Sequence, residues 1–153
     1  ELNQGLVSIL KRAGVTMFAT AFYAVLDLES RTLEYANAGH PSPLVETKDG
    51  IKRVSDFQKV IGPALGLVEE CAYASGKVSL DEVEKLILFT DGIYETENSD
   101  GEEMGIERMI AAVESDENGI ESNLDTLLAA TRKFAGDGEF GDDVCLLGIT
   151  LNS

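Results

Sequence analysis

Positive charge is what this sequence has least of. Its 153 residues carry 12 Lys and Arg against 28 Asp and Glu, a formal net charge of −16. So acidic a surface repels nucleic acid and anionic membrane and excludes both as partners. It also repels a phosphorylated substrate unless something positive sits in the site. Divalent cations are the natural candidates, because they invert the local field; the alternative is that the acidity serves only solubility. Cysteine is scarce too. Cys71 and Cys145 are too few for a disulfide framework, and each lies in an apolar pattern resembling a strand, which predicts buried thiols in a reducing compartment. The single histidine, His40, leaves no Cys/His cluster of the zinc-binding kind. No apolar run is long enough to span a bilayer and no signal peptide is visible, so the expected location is the cytoplasm. Internal repeats and low-complexity linkers are also absent. What remains suits one domain, residues 1–153, whose 44% hydrophobic content can build a core.

The order of the elements follows from apolar periodicity. "LNQGLVSILKRAG" places Leu2, Leu6, Ile9 and Leu10 on one helical face, with Gly14 as the stop. "TMFATAFYAVLDLESRTLEYANAGHP" predicts a hairpin. Its first arm, Met17 to Leu26, is apolar throughout and is expected to be covered on both faces. Asp27 to Thr32 turn the chain, and in the second arm Leu33 and Tyr35 alternate with polar neighbours. "LVETKDGIKRVS" predicts a second hairpin, turning at Lys48-Asp49-Gly50. After the loop "IGPALGL", the stretch "CAYASGKVSL" alternates like a short strand, and "KLILFTD" has the composition of a buried one. Helices are expected over Ile106 to Ser115 and about Ile120 to Phe134, separated by "SDENG", and "DDVCLLGITL" closes the chain as a strand. Strands early and helices late favour α+β with antiparallel sheets over a parallel, doubly wound sheet.

Two carboxylate positions adjoin the buried strands: Asp91 just after "LILFT", and Asp142-Asp143 just before "VCLLGI". A carboxylate at the end of a buried strand is held rigidly, as a metal site requires. If the two strands are antiparallel neighbours, Asp91 and Asp142 meet at one sheet edge. Gly92 would let the backbone turn sharply or approach a ligand closely. Oxygen donors alone suit Mg²⁺ or Mn²⁺ rather than Zn²⁺. The plain alternative is that Asp91-Gly92 is a turn and nothing more.

Taken in order, "FATAFYAVLDLESRTLEYANAGHPSPLV", "LILFTDGIYETENSDGEEMG" and "DDVCLLGITL" resemble the PPM-type serine/threonine phosphatase domain of the SpoIIE/RsbU class over nearly the whole chain. The resemblance implies a sandwich of two antiparallel β-sheets flanked by α-helices, with two Mn²⁺ or Mg²⁺ ions at one end. It implies hydrolysis of phosphoserine or phosphothreonine, on a STAS-domain anti-sigma-factor antagonist, by water activated between the metals. Asp91 matches the metal-ligating aspartate of the class's T-D-G motif, and Asp142 the first aspartate of its terminal D-D motif. Asp143 is a further metal residue or a support for its neighbour. Glu95 matches the acid after T-D-G, in a capping or loop-ordering role. His40, in "ANAGHP", matches the loop after the hairpin, where Asn37 and Gly39 fix the turn; a lone histidine is expected to be structural, supporting the loop, with substrate binding or catalysis as the alternative. The acidic run Glu95 to Glu103 is expected to be a solvated loop.

The class also carries an upstream D-x-S-G-H-G strand motif whose aspartate bridges both metals, and these 153 residues contain no match to it. The parent protein is therefore expected to continue N-terminally, with a sensor or receiver domain in the same chain, and this stretch alone to bind metal weakly. A homodimer is left open. Cys145 stands where the class usually has threonine, and Met104 where it has an aromatic residue. A second reading, of a different kind, is a pseudophosphatase that binds its partner protein without turnover.

Overall fold

The computed structural model describes residues 1–115, 118–136 and 140–151. In chain order its elements are α1 (Leu2–Ala13), β1 (Ala21–Asp27), β2 (Thr32–Ala38), β3 (Leu44–Thr47), β4 (Gly50–Arg53), α2 (Val54–Phe57), β5 (Gly76–Ser79), β6 (Val83–Phe89), α3 (Gly105–Glu114), α4 (Ile120–Ala135) and β7 (Leu146–Thr150). They form two antiparallel sheets plus helices, as expected. Contacts divide the chain into two compact units, residues 1–42 with 54–81, and residues 43–53 with 82–151 of those described.

The first unit holds a three-stranded sheet ordered β1-β2-β5. β1 and β2 form the hairpin, paired from Ala21↔Ala38 to Asp27↔Thr32. The turn is closed by the Asp27 carboxylate, which accepts the amides of Glu29 and Ser30. Leu33 and Tyr35 are buried, and the Tyr35 ring stacks on Phe22 with centroids 5.2 Å apart. Three expectations need correction here. The first arm starts at Ala21 rather than Met17, and one face of it is open: Tyr23 is 67% exposed and Val25 48%. β1 is an edge strand, and an apolar run cannot reveal whether its second face has a neighbour. In α1 the buried residues are Asn3 and Val7, while Leu2 and Ile9 face solvent. Asn3 is held by polar contacts: its amide donates to the Val68 carbonyl at 2.7 Å and its oxygen accepts Gly66 N–H at 2.9 Å. The strand expected across "CAYASGKVSL" is confined to Gly76–Ser79, and Cys71 lies half-buried in the coil before it. Gly14 does end α1, in the left-handed conformation.

The second unit holds a four-stranded sheet ordered β4-β3-β6-β7. β6 is flanked on both sides, and after Glu84 and Lys85 its residues 86–89 are apolar without a break; Val83 and residues 85–87 and 89 are buried. Leu44, Ile87, Phe89, Ile93, Met104, Met109, Val113 and Leu127 make one core, with α3 and α4 contributing their apolar stripes. Removing each such side chain from water contributes roughly 1.5–3 kcal/mol. Glycine at 148 brings α4 close to β7, since a Cβ there would stand 2.4 Å from the Ile120 side chain. The Lys85 ammonium is buried in this unit. It donates to the Asn118 carbonyl at 2.8 Å and Asn123 Oδ1 at 2.9 Å, and pairs with Glu46 at 2.9 Å. Both expected helices are present within one residue; of the "SDENG" separator, residues 116 and 117 lie outside the described residues. The expectation of a buried Cys145 fails. It precedes β7, an edge strand of this sheet, on the outward side with Leu147, and is exposed.

Candidate metal centre

β6 and β7 are antiparallel neighbours, paired from Lys85↔Thr150 to Phe89↔Leu146. The strand leading to Asp91 and the one leaving Asp142-Asp143 therefore share an end. Beyond the ladder, Thr90 N–H donates to the Cys145 carbonyl at 3.1 Å. Thr90 Oγ1 donates to the Asp143 carbonyl at 2.8 Å and accepts Cys145 N–H at 2.9 Å. Gly92 then packs against the facing backbone: a Cβ at this position would lie 2.6 Å from the Asp143 carbonyl oxygen and 3.1 Å from that of Asp142. The close approach at Gly92 is to the backbone of the second carboxylate segment, where the sequence suggests a sharp turn or a ligand.

Asp91 is half-buried, whereas Asp142 and Asp143 are exposed. Asp143 N–H donates to Asp142 Oδ1 at 2.7 Å, so one aspartate's backbone orients the other's carboxylate. On the other side, Glu95 N–H donates to the Asp91 carbonyl at 2.9 Å and the buried Thr96 hydroxyl to the Gly92 carbonyl at 2.6 Å, closing a tight turn. Tyr94 reports the local field. Burial, and then the charges of Glu95, Asp91 and Glu103, push its phenol up to about 12. Its ring meets Phe89 edge-on at 6.1 Å.

The acidic run is solvated but ordered. Asn98 Oδ1 accepts the amides of Asp100 and Glu102, and Glu97 pairs with Glu103 across the loop. His40 belongs to the other unit. Both ends of the buried Asn37 amide bind its backbone, at 2.8 Å to N–H and 2.9 Å to the carbonyl, and its Nδ1 lies 3.0 Å from Thr20 Oγ1. Gly39 completes this turn at φ 73°. Two residues escaped sequence reasoning. Thr90 could have been suspected from a hydroxyl placed directly before Asp-Gly, and Tyr94 from an aromatic amid carboxylates.

The donor set is carboxylate oxygen, which fits a hard divalent ion in kind. Among the described residues, however, no group of three His, Cys, Asp or Glu side chains converges to hold one. The chain offers part of a ligand set.

The SiaA PP2C domain of Pseudomonas aeruginosa has a similar structure, with a TM-score of 0.78 and 18% identity, over 97% of this chain and 57% of that one. The phosphatase domain of the cell fate determinant SpoIIE from Bacillus subtilis, presoaked with Mn, matches with a TM-score of 0.65 at 15% identity, over 86% and 56%. The fold is that of PP2C-like phosphatase domains. By sequence, the Synechocystis sp. (strain ATCC 27184 / PCC 6803 / Kazusa) protein IcfG is 32% identical over 63% of this chain, and the Bacillus subtilis (strain 168) phosphoserine phosphatase RsbP 30% identical over 51%. This chain spans 15% and 19% of those two proteins' lengths. The family model for stage II sporulation protein E (SpoIIE) matches residues 1–152, and the chain belongs to that family of PPM-type serine phosphatase domains.

Proposed function

We propose that residues 1–153 act as one metal-dependent protein serine/threonine phosphatase domain in the cytoplasm, releasing phosphate from a phosphorylated STAS-domain anti-sigma-factor antagonist. The observation that carries this reading is the β6–β7 register, which sets the strand ends bearing Asp91 and Asp142 side by side, with Gly92 against the Asp142-Asp143 backbone. Asp91 and Asp142 would hold Mn²⁺ or Mg²⁺, Asp143 would orient Asp142, and Glu95 would support the loop after Asp91, while His40 would support the turn after the β1–β2 hairpin in its own unit. A bound ion supplies positive charge for the phosphoryl oxygens and lowers the pKa of water, which answers the repulsion from a chain of net charge −16. No described helix is long and apolar enough to cross a membrane.

The test is phosphate release from a phosphoserine STAS-domain protein, followed across a Mn²⁺ titration in the intact protein. Asp91→Asn and Asp142→Asn keep the shape but remove the charge. Each should slow release on the order of a hundredfold or more, at ~1.4 kcal/mol per tenfold, with partial rescue by added Mn²⁺ and unchanged thermal melts. Wild-type turnover in both variants at every Mn²⁺ concentration would make them turn residues. The incomplete carboxylate group favours a second reading, a module that binds the same partner without turnover. Partner capture with no phosphate release at any metal concentration would select it.

A further inference from the structure

We infer that Thr90 is a positioning residue whose hydroxyl sets the Asp142-Asp143 segment against Asp91. This rests on the reading of those carboxylates as cation ligands. In a regular antiparallel ladder, Thr90 and Cys145 would exchange two backbone hydrogen bonds. Only one forms, from Thr90 N–H to the Cys145 carbonyl at 3.1 Å. The Thr90 carbonyl is turned away to accept Ile93 N–H at 3.3 Å, closing the turn that carries Asp91 and Gly92. The hydroxyl takes the carbonyl's place. It accepts Cys145 N–H at 2.9 Å and donates a hydrogen bond to the Asp143 carbonyl at 2.8 Å.

One side chain thereby does two things. It frees the strand end to turn, and it grips the facing segment on both sides of Val144. A hydroxyl is required, because the role needs a donor and an acceptor on one atom. The β-branched side chain adds a restricted χ1, so the grip has a fixed direction. Both bonds are solvent-exposed. Water can satisfy the same groups when the hydroxyl is removed, so the fold depends on them little. Water does not supply position. Gly92, with no room for a side chain against the Asp143 carbonyl, makes the two backbones meet; Thr90 decides where along each other they do so.

The test compares Thr90→Val, which keeps the shape without the hydroxyl, with Thr90→Ser, which restores it. Amide exchange and chemical shifts are read without metal, and Mn²⁺ binding is read as paramagnetic broadening during a MnCl₂ titration. Thr90→Val should speed Cys145 amide exchange and shift the Gly92 and Asp143 amides while the thermal melt stays close to wild type. It should also raise the Mn²⁺ midpoint by about tenfold, at the lower end of the effect of removing a group that orients metal ligands. Thr90→Ser, which restores the hydroxyl without the β-branch, should return both readouts most of the way to wild type. Unchanged Cys145 exchange in Thr90→Val, or a shifted segment with an unchanged Mn²⁺ midpoint, would overturn the inference. Asp91→Asn, titrated alongside, separates the two claims: unchanged broadening in that variant refutes the ligand reading itself, with the metal-free shifts still deciding whether Thr90 places the segment.

Discussion

The two sheets use similar apolar strands differently. In the four-stranded sheet, β6 has a neighbour on either side and residues such as Ile87 are 1% exposed. In the three-stranded sheet, β1 lies at an edge and alternates, with Tyr23 67% exposed. Asp91 extends from the first kind of strand, whereas Asp142 and Asp143 precede β7, an edge strand held by its pairing with β6. Catalytic geometry needs residues locked by packing, and a strand bonded on both sides is the stiffest support this chain has. The second kind of strand tolerates change.

The sharpest way to break this contrast is to hollow out one side of it. Ile87→Ala, at a buried position of β6, should cost about 2–5 kcal/mol in chemical denaturation. Val25→Ser, on the open face of β1, should stay within about 0.5 kcal/mol. Equal losses would mean that the two sheets are equally packed. Next in size is Gly92→Ala. With its Cβ 2.6 Å from the Asp143 carbonyl oxygen, backbone must move, and overpacking of this sort costs about 1–3 kcal/mol. Amide shifts should locate the displacement at Asp142 and Asp143, and a melt identical to wild type would show that the strand ends do not touch.

The smallest effect concerns Tyr94. Its phenol ionises at about 12 in the folded chain, against an ordinary 10.0. Between those pH values the unfolded chain has released a proton that the folded chain keeps, so stability should fall as pH rises through that window. Tyr94→Phe should remove this slope in pH-dependent melts. Asp91→Asn should move the phenol modestly downward, read by tyrosinate absorbance, because burial rather than charge is the larger cause. No movement would place Asp91 away from the ring.

The features that reached the sequence surface were those set by local pattern or by composition. β6 was legible because a strand with a neighbour on either side keeps few polar residues, β7 because its apolar run starts directly after acidic residues, and α3 and α4 because their buried residues recur at helical spacing. The open face of β1 was not legible, since an apolar side chain is spelled the same whether or not something covers it. Nor was the burial of Asn3, which depends on carbonyls 65 and 66 residues away. Asp91 and Asp142 could be paired by assuming neighbouring strands. Thr90 could not, because its hydroxyl's partners lie 53 and 55 residues along the chain and nothing in "FTDG" records them.

The Lys85 cage has a mechanical consequence. Its ammonium is fastened to Glu46 of β3, to Asn123 of α4 and to the carbonyl of Asn118 ahead of that helix. For β6 to slide along its neighbours, that charge would have to leave all three at once, and an unpaired buried charge is strongly unfavourable. Lys85 therefore works as a linchpin through the sheet. Asp91 lies six residues further on, about 20 Å at ~3.3 Å per residue. Its alignment with the opposing chain end is fixed from the far end of the strand, as the tip of a lever is fixed by its pivot.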